Sequence, residues 1–423
     1  MRASKSFPNL LFLTFGLLAA HAAAQTFTVL YRFSGPDGAS PYLSTLTEKG
    51  GLIYGTTTSG GANNFGTVFS LTPPASSGEP WSEQVLYSFM GQADGGEPTA
   101  GVVITGSGAL FGTATYGGDG GGTVFELTPP AVSGNSWTDR IIYTFPTFFA
   151  GEDPWSLLVS YDGVFYGSAR YGVSGSDSGN GGVYSLSRPS KSGESWKESV
   201  IHAFTGAGDG SQPTGVIFDT SGNLYGGTGL GGPAGGGTVY ELTPPSSPGG
   251  TWTEQILYSF TGAADGSAPT GPPAIGPSGV LYGLATYGGI VNQYCSDGCG
   301  VIYALAPPSS PGADWTEQTI YQFTAGSDGA NPFGTVVIGK KGQLYGTASI
   351  SSDSNGSVWE LNPPASAGGS WTIRVLHNFT YTDGEFPSAG LLLHDGVLYG
   401  STLGGGGPGG CPSDCGVVFS VAP

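Results

Sequence analysis

Positive charge is the scarcest property of this 423-residue chain, which sets 12 Lys and Arg against 30 Asp and Glu and contains four histidines. Arg2 and Lys5 lie within the first 24 residues, which hold no acid, so residues 25–423 carry 10 basic and 30 acidic groups, a net charge of −20. A surface of that sign repels phosphate backbones and anionic lipid, and nucleic acid is excluded as a partner. Long apolar runs are also missing. The longest, Leu10 through Ala20, falls short of the roughly 20 residues that a spanning helix needs, so no membrane insertion is expected. Only 10% of the residues are charged, which excludes the dense charge of a disordered polyelectrolyte.

Histidine is nearly absent beyond residue 24, where only His202, His377 and His394 remain, and no two of them share a loop. A histidine metal site and a Ser-His-Asp triad are therefore not expected. The sequence holds no G-x-S-x-G step and no D-x-D-x-D-G calcium loop, and it implies no cofactor. Ser351, Asp353, Gly356 and Trp359 come near a sialidase-type signature, but with the wrong spacing, which marks the likeness as accidental.

What the N-terminus does contain is a basic start, the apolar run 10–20 and the small residues Ala22-Ala23-Ala24 before Gln25. That order describes a secretory signal peptide over residues 1–24 and a secreted product, extracellular or periplasmic, comprising residues 25–423.

The 78 glycines and 31 prolines indicate either low complexity or a fold of many short strands, and the 12% aromatic content decides for strands. An aromatic-Gly step recurs seven times, at Tyr54, Phe111, Tyr166, Tyr225, Tyr282, Tyr345 and Tyr399, each followed by glycine. Residues 25–423 divide into seven units of 57. In the unit 213–260 four strands are expected, at 214–218, 224–228, 237–242 and 252–260. The fourth alternates cleanly, with Trp252, Glu254, Ile256, Tyr258 and Phe260 on one face. Six tryptophans at the start of that strand, Trp81, Trp137, Trp196, Trp252, Trp315 and Trp371, read as packing residues.

Four strands per unit without helices predict an all-β, seven-bladed β-propeller with four antiparallel strands per blade. A fourth-type strand at 27–33 stands alone at the N-terminus, and the chain ends after a third-type strand at 416–421. The N-terminal strand is expected to complete the last blade and remove the open edge. A monomer is expected.

The "LYG" step, the "GTVFxLTPP" strand and the "WTExxLYSF" strand resemble the GloVer tandem repeat of exported bacterial proteins, over essentially all of residues 25–423. The resemblance implies an extracellular location and no particular activity. Many members carry a C-terminal sorting or anchoring segment, a pattern from which this sequence departs at Val421-Ala422-Pro423.

Cysteine is confined to two short pairs in glycine-rich loops, Cys295 with Cys299 and Cys411 with Cys415. Export makes local disulfides the expected reading, and a four-cysteine zinc site is the alternative. Acids recur after each fourth strand, at Asp37, Asp94, Asp153, Asp209, Asp265, Asp328 and Asp383, six of them followed by glycine. Turn chemistry explains them, and a ring around the central opening that holds a cation or a sugar is the alternative.

Function is sought where the repeat breaks, and the third copy breaks it most. Phe148, Phe149, Glu152, Asp153 and Trp155 crowd its crossing loop, while Arg170 and Tyr171 follow its second strand. These seven residues are expected on one face, as a patch for stacking and hydrogen bonding, with buried packing as the alternative. Two functions fit. One is a non-catalytic scaffold that binds a glycan, a peptide or an envelope protein; the other is a polysaccharide lyase or glycoside hydrolase that uses Glu152 and Asp153 as acid and base.

Overall fold

The aromatic-Gly marker has a packing origin. In the computed structural model, which describes residues 25–423 apart from 77, 133, 147–152, 174–178, 192–193, 248, 311, 353, 367 and 408–414, an aromatic of the third strand lies across the marker glycine in the second. A Cβ on Gly55 would stand 2.6 Å from the Phe69 ring, and one on Gly400 2.5 Å from Phe419. The overlying rings, Phe69, Phe125, Tyr184, Tyr240, Tyr303, Trp359 and Phe419, are all buried.

Seven sheets of four antiparallel strands result, spanning 47–88, 103–144, 159–203, 211–259, 267–322, 330–378, and finally 392–422 with 26–32. In the fourth blade the strands run Ser211–Phe218, Leu224–Leu230, Thr238–Thr243 and Thr253–Ser259. Thr26–Arg32 pairs antiparallel with Val417–Ala422, so the N-terminal strand closes the seventh blade. The propeller expectation and its closure are both met.

One expectation fails locally. The outer strand does not keep a single alternation, because the register shifts between Val239 and Tyr240, opposite Tyr258 and Ile256. Leu257 is the extra residue, and it turns inward to be buried although alternation puts it on the other face. The same shift occurs in all seven blades.

The core lies largely between blades. The phenylalanine that ends each outer strand meets the third-strand aromatic of the next blade: Phe33 with Phe69, Phe89 with Phe125 and Phe323 with Trp359 are edge-on at 5.1–5.8 Å. Such pairs contribute about 0.5–1.5 kcal/mol each beyond burial. The tryptophans pack the same boundaries further out. Trp81, Trp252, Trp315 and Trp371 meet the marker tyrosines Tyr399, Tyr166, Tyr225 and Tyr282 of the preceding blade at 5.9–6.5 Å. Near the axis a hydroxyl crosses each boundary to a backbone carbonyl, from Thr56 to Ala100 at 2.8 Å through to Ser401 to Pro41 at 3.2 Å.

Candidate functional site

Strand alternation sends the second-to-third loops and the crossing loops to one face of the ring. On this loop-rich face the recurring aspartates act as turn locks. Asp94 accepts from the Met90 amide at 2.8 Å and from the Tyr87 hydroxyl at 2.9 Å. Asp328 accepts from the Thr324 amide and the Tyr321 hydroxyl, both at 2.9 Å. His202 and His377 take the tyrosine's place against Asp209 and Asp383 at 3.2 and 3.1 Å. None of these carboxylates lines the axial space, so they do not ring the central opening.

Asp153 is not a member of that set. It stands just before Pro154 with φ +47°, in the position held by Ser40, Glu97, Gln212, Ala268, Asn331 and Phe386, all at positive φ before a proline. Its repeat position is thus that of Glu97, not of Asp94. The signal was present in the sequence, because Phe89 and Pro98 have the same separation as Phe145 and Pro154, which aligns Asp153 with Glu97.

Blade 3 does bring the described members of the expected patch together. The Arg170 guanidinium lies over the Trp155 ring at 4.9 Å and over Tyr171 at 5.3 Å. Its Nε and Nη2 donate to Gln212 Oε1 at 3.3 and 3.2 Å, and its backbone N–H donates to the Asp153 carbonyl at 3.0 Å. Burial pushes the Asp153 carboxyl up to about 6, with Glu97 adding to the rise and Arg170 opposing it. Phe148, Phe149 and Glu152 lie outside the described residues, so a Glu152–Asp153 pair has no geometry here.

Tyr42, from blade 1, meets Trp155 edge-on at 5.9 Å, so side chains of two blades meet near the axis. Burial raises the Tyr42 phenol; the Arg170 charge lowers it and Tyr287, from blade 5, raises it further. Beneath Trp155 is an axial chamber of about 280 Å³ to which every blade contributes, through Leu43, Ala100, Trp155, Val216, Pro272, Phe333 and Gly390. Sequence reasoning missed Tyr42 and the chamber. The pointer was the residue after each crossing-loop proline: Tyr42, Thr99, Trp155, Thr214, Thr270, Phe333 and Ser388, where three aromatics interrupt small residues.

Cys295 and Cys299 form the expected disulfide. Cys415 is also disulfide-bonded, while its expected partner Cys411 lies outside the described residues. Trp359, of the sialidase-like run, is fully buried in the third strand Ser357–Asn362. Among the described residues, no group of three or more His, Cys, Asp or Glu is placed to hold a metal ion, and no helix is long and apolar enough to cross a membrane.

Seven four-stranded blades around an axial chamber define a seven-bladed β-propeller. The chain belongs to the Gloeobacter/Verrucomicrobia repeat family, whose model matches residues 16–194 and 173–419. No curated protein matches its sequence. Solved structures of similar fold include the PQQ-bound aldose sugar dehydrogenase from Streptomyces coelicolor, at 13% identity and TM-score 0.46 over 95% of this chain and 98% of that one. Another is the extracellular domain of a protein described as a hybrid two-component system from B. thetaiotaomicron, at 10% identity and TM-score 0.51 over 94% of this chain and 42% of that one. At these identities the likeness is one of fold alone.

Proposed function

We propose that this protein is an exported, non-catalytic propeller that binds a glycan on its loop-rich face, centred on Trp155 and Arg170. The observation that carries the reading is the meeting of Trp155, Arg170 and Tyr42 above the axial chamber. Sugar rings offer C–H faces to aromatic rings and hydroxyls to planar polar groups. Trp155, Tyr42 and Tyr171 supply the rings, and Arg170, Gln212 and Asp153 the polar partners. Among the described residues, nine of the twelve exposed large apolar side chains are on this face, with Tyr116, Tyr287, Tyr294 and Phe386 among them, a concentration that suits a recognition surface. The N-terminal pattern and the Cys295–Cys299 bridge fit export to an oxidising compartment.

Screening residues 25–423 on an immobilised glycan array tests the reading. A saturable ligand lost in Trp155→Ala supports it. The absence of any ligand whose binding requires Trp155 contradicts it, and cleavage of a bound polysaccharide would return the protein to the lyase or hydrolase class.

A further inference from the structure

The rare cations of this acidic protein are not spread evenly. On the face opposite the axial mouth, a groove of about 490 Å³ runs between blades 2 and 3, and Arg140, Arg188 and Lys191 line it. These are three of the ten basic residues in 25–423, and Lys197 opens the adjoining outer strand. Arg188, Lys191 and Lys197 depart from the repeat. Arg188 stands where Pro73, Pro129, Pro244, Pro307 and Pro363 stand elsewhere, and Lys191 where Ser76, Ser247, Ser310 and Ser366 do. Arg140 stands where Gln84, Gln255 and Gln318 do, a replacement that it shares with Arg374 of blade 6. The substitutions come from two blades and converge on one groove.

Little in the groove consumes this charge. The Arg140 side chain is 59% exposed and only 3.9 Å from Glu126, a loose pair, and Glu194 accepts from Ser190 at 3.3 Å. The Arg188 guanidinium lies over the Trp196 ring at 5.2 Å, and the residue is exposed. Trp196 lines the groove, is 5% exposed, and its indole N–H has no acceptor among the described residues. A buried donor without a partner costs stability unless a ligand or water supplies one.

We infer that this groove is a second binding site, specific for an anionic glycan carrying carboxylate or sulfate groups. Guanidinium groups pair with such oxyanions through parallel N–H donors. Ser190 and Ser195 add hydroxyls for the sugar, and the volume suits one or two residues of a chain. The net negative charge does not forbid this, since at physiological salt a ligand senses charges within about 8 Å.

The test uses residues 25–423 at roughly 0.15 M salt, titrated with oligogalacturonate, sulfated dextran oligomers, neutral dextran and poly-glutamate. Binding of one or both charged glycans, not of neutral dextran, is expected, and the two charged probes separate carboxylate from sulfate recognition. Arg188→Gln with Lys191→Gln should weaken binding about tenfold. Lys340→Gln with Lys341→Gln, an exposed pair on blade 6, should leave it unchanged, as should Trp155→Ala, which separates this site from the axial one. If thermal unfolding shows that Arg188→Gln disturbs Trp196, Arg140→Gln with Lys191→Gln carries the test. No binding of either charged glycan overturns the inference. So does poly-glutamate binding equally well, or an equal loss in the Lys340/Lys341 variant.

Discussion

Tyr143 donates its phenolic hydrogen to Glu198 at 3.0 Å, across the boundary between blades 2 and 3. In blades 1, 4 and 5 the same repeat position, Tyr87, Tyr258 and Tyr321, donates to an aspartate of its own crossing loop at 2.9–3.1 Å. Five residues after the outer-strand phenylalanine, where blade 1 has Asp94, this boundary has Ala150, and Asp153 occupies another repeat position. Each boundary thus has an outer-strand hydroxyl or imidazole, a crossing-loop acid, or a carboxylate from the next outer strand, in varying combination. Removing the hydroxyl in Tyr321→Phe leaves the buried Asp328 short of one donor and should cost about 1.5–3 kcal/mol. Urea unfolding checks this, and an unchanged midpoint contradicts it.

The next-blade carboxylates make stability depend on pH. Burial pushes Glu83 up to about 8, with Asp37 beside it adding to the rise, and pushes Glu254 up to about 7, with Asp209 adding. Asp139 rises to about 6 by burial and Asp94. An acid with a raised native pKa holds its proton more tightly when folded, so its contribution is complete below the unfolded value near 4.5 and is lost as pH climbs through 6 to 8. Thermal unfolding between pH 4 and 9 should therefore show stability falling as pH rises, with a shallower slope in Glu83→Gln. A flat profile contradicts the placement of these groups.

Closure of the ring predicts a large effect from a small deletion. Thr26–Arg32 covers the edge of Val417–Ala422 and brings Leu30 and Phe33, 8% and 3% exposed, into the boundary with blade 1. Deleting residues 26–34 should lower the melting temperature far more than a terminal trim does, and Phe33→Ala alone should cost about 3–5 kcal/mol. Unchanged unfolding of the deletion variant would show that the last blade is held in another way.

Mass mapping of the non-reduced protein should give the Cys295–Cys299 bridge and a second joining Cys411 to Cys415. Each closes so short a loop that Cys295→Ser with Cys299→Ser should lower global stability little and act on the blade 5 loop instead. Retained zinc, or a crosslink between the two pairs, contradicts this.

The ring was legible in the sequence because its markers are steric necessities. A glycine beneath Phe69 and a proline after each strained crossing residue recur wherever the blade recurs. The bulge at Leu257 was not legible, since an inserted residue in an apolar strand still reads as alternation. Asp153 was misplaced because chemical type was aligned in place of distance from Phe145 and Pro154. Trp155, Arg170 and Tyr171 were found through the broken repeat, whereas Tyr42 joins them only when blades 1 and 3 are brought together in space.

Trp155 provides the most direct measurement. Its ring is half-buried, borders an existing chamber and carries Arg170, so truncation mainly enlarges space that is already there. In Trp155→Ala, binding of the axial-site ligand measured by titration should disappear while urea unfolding shows a loss below about 2 kcal/mol. A loss of about 3–5 kcal/mol with binding intact would contradict the account and make Trp155 a packing residue of the ring.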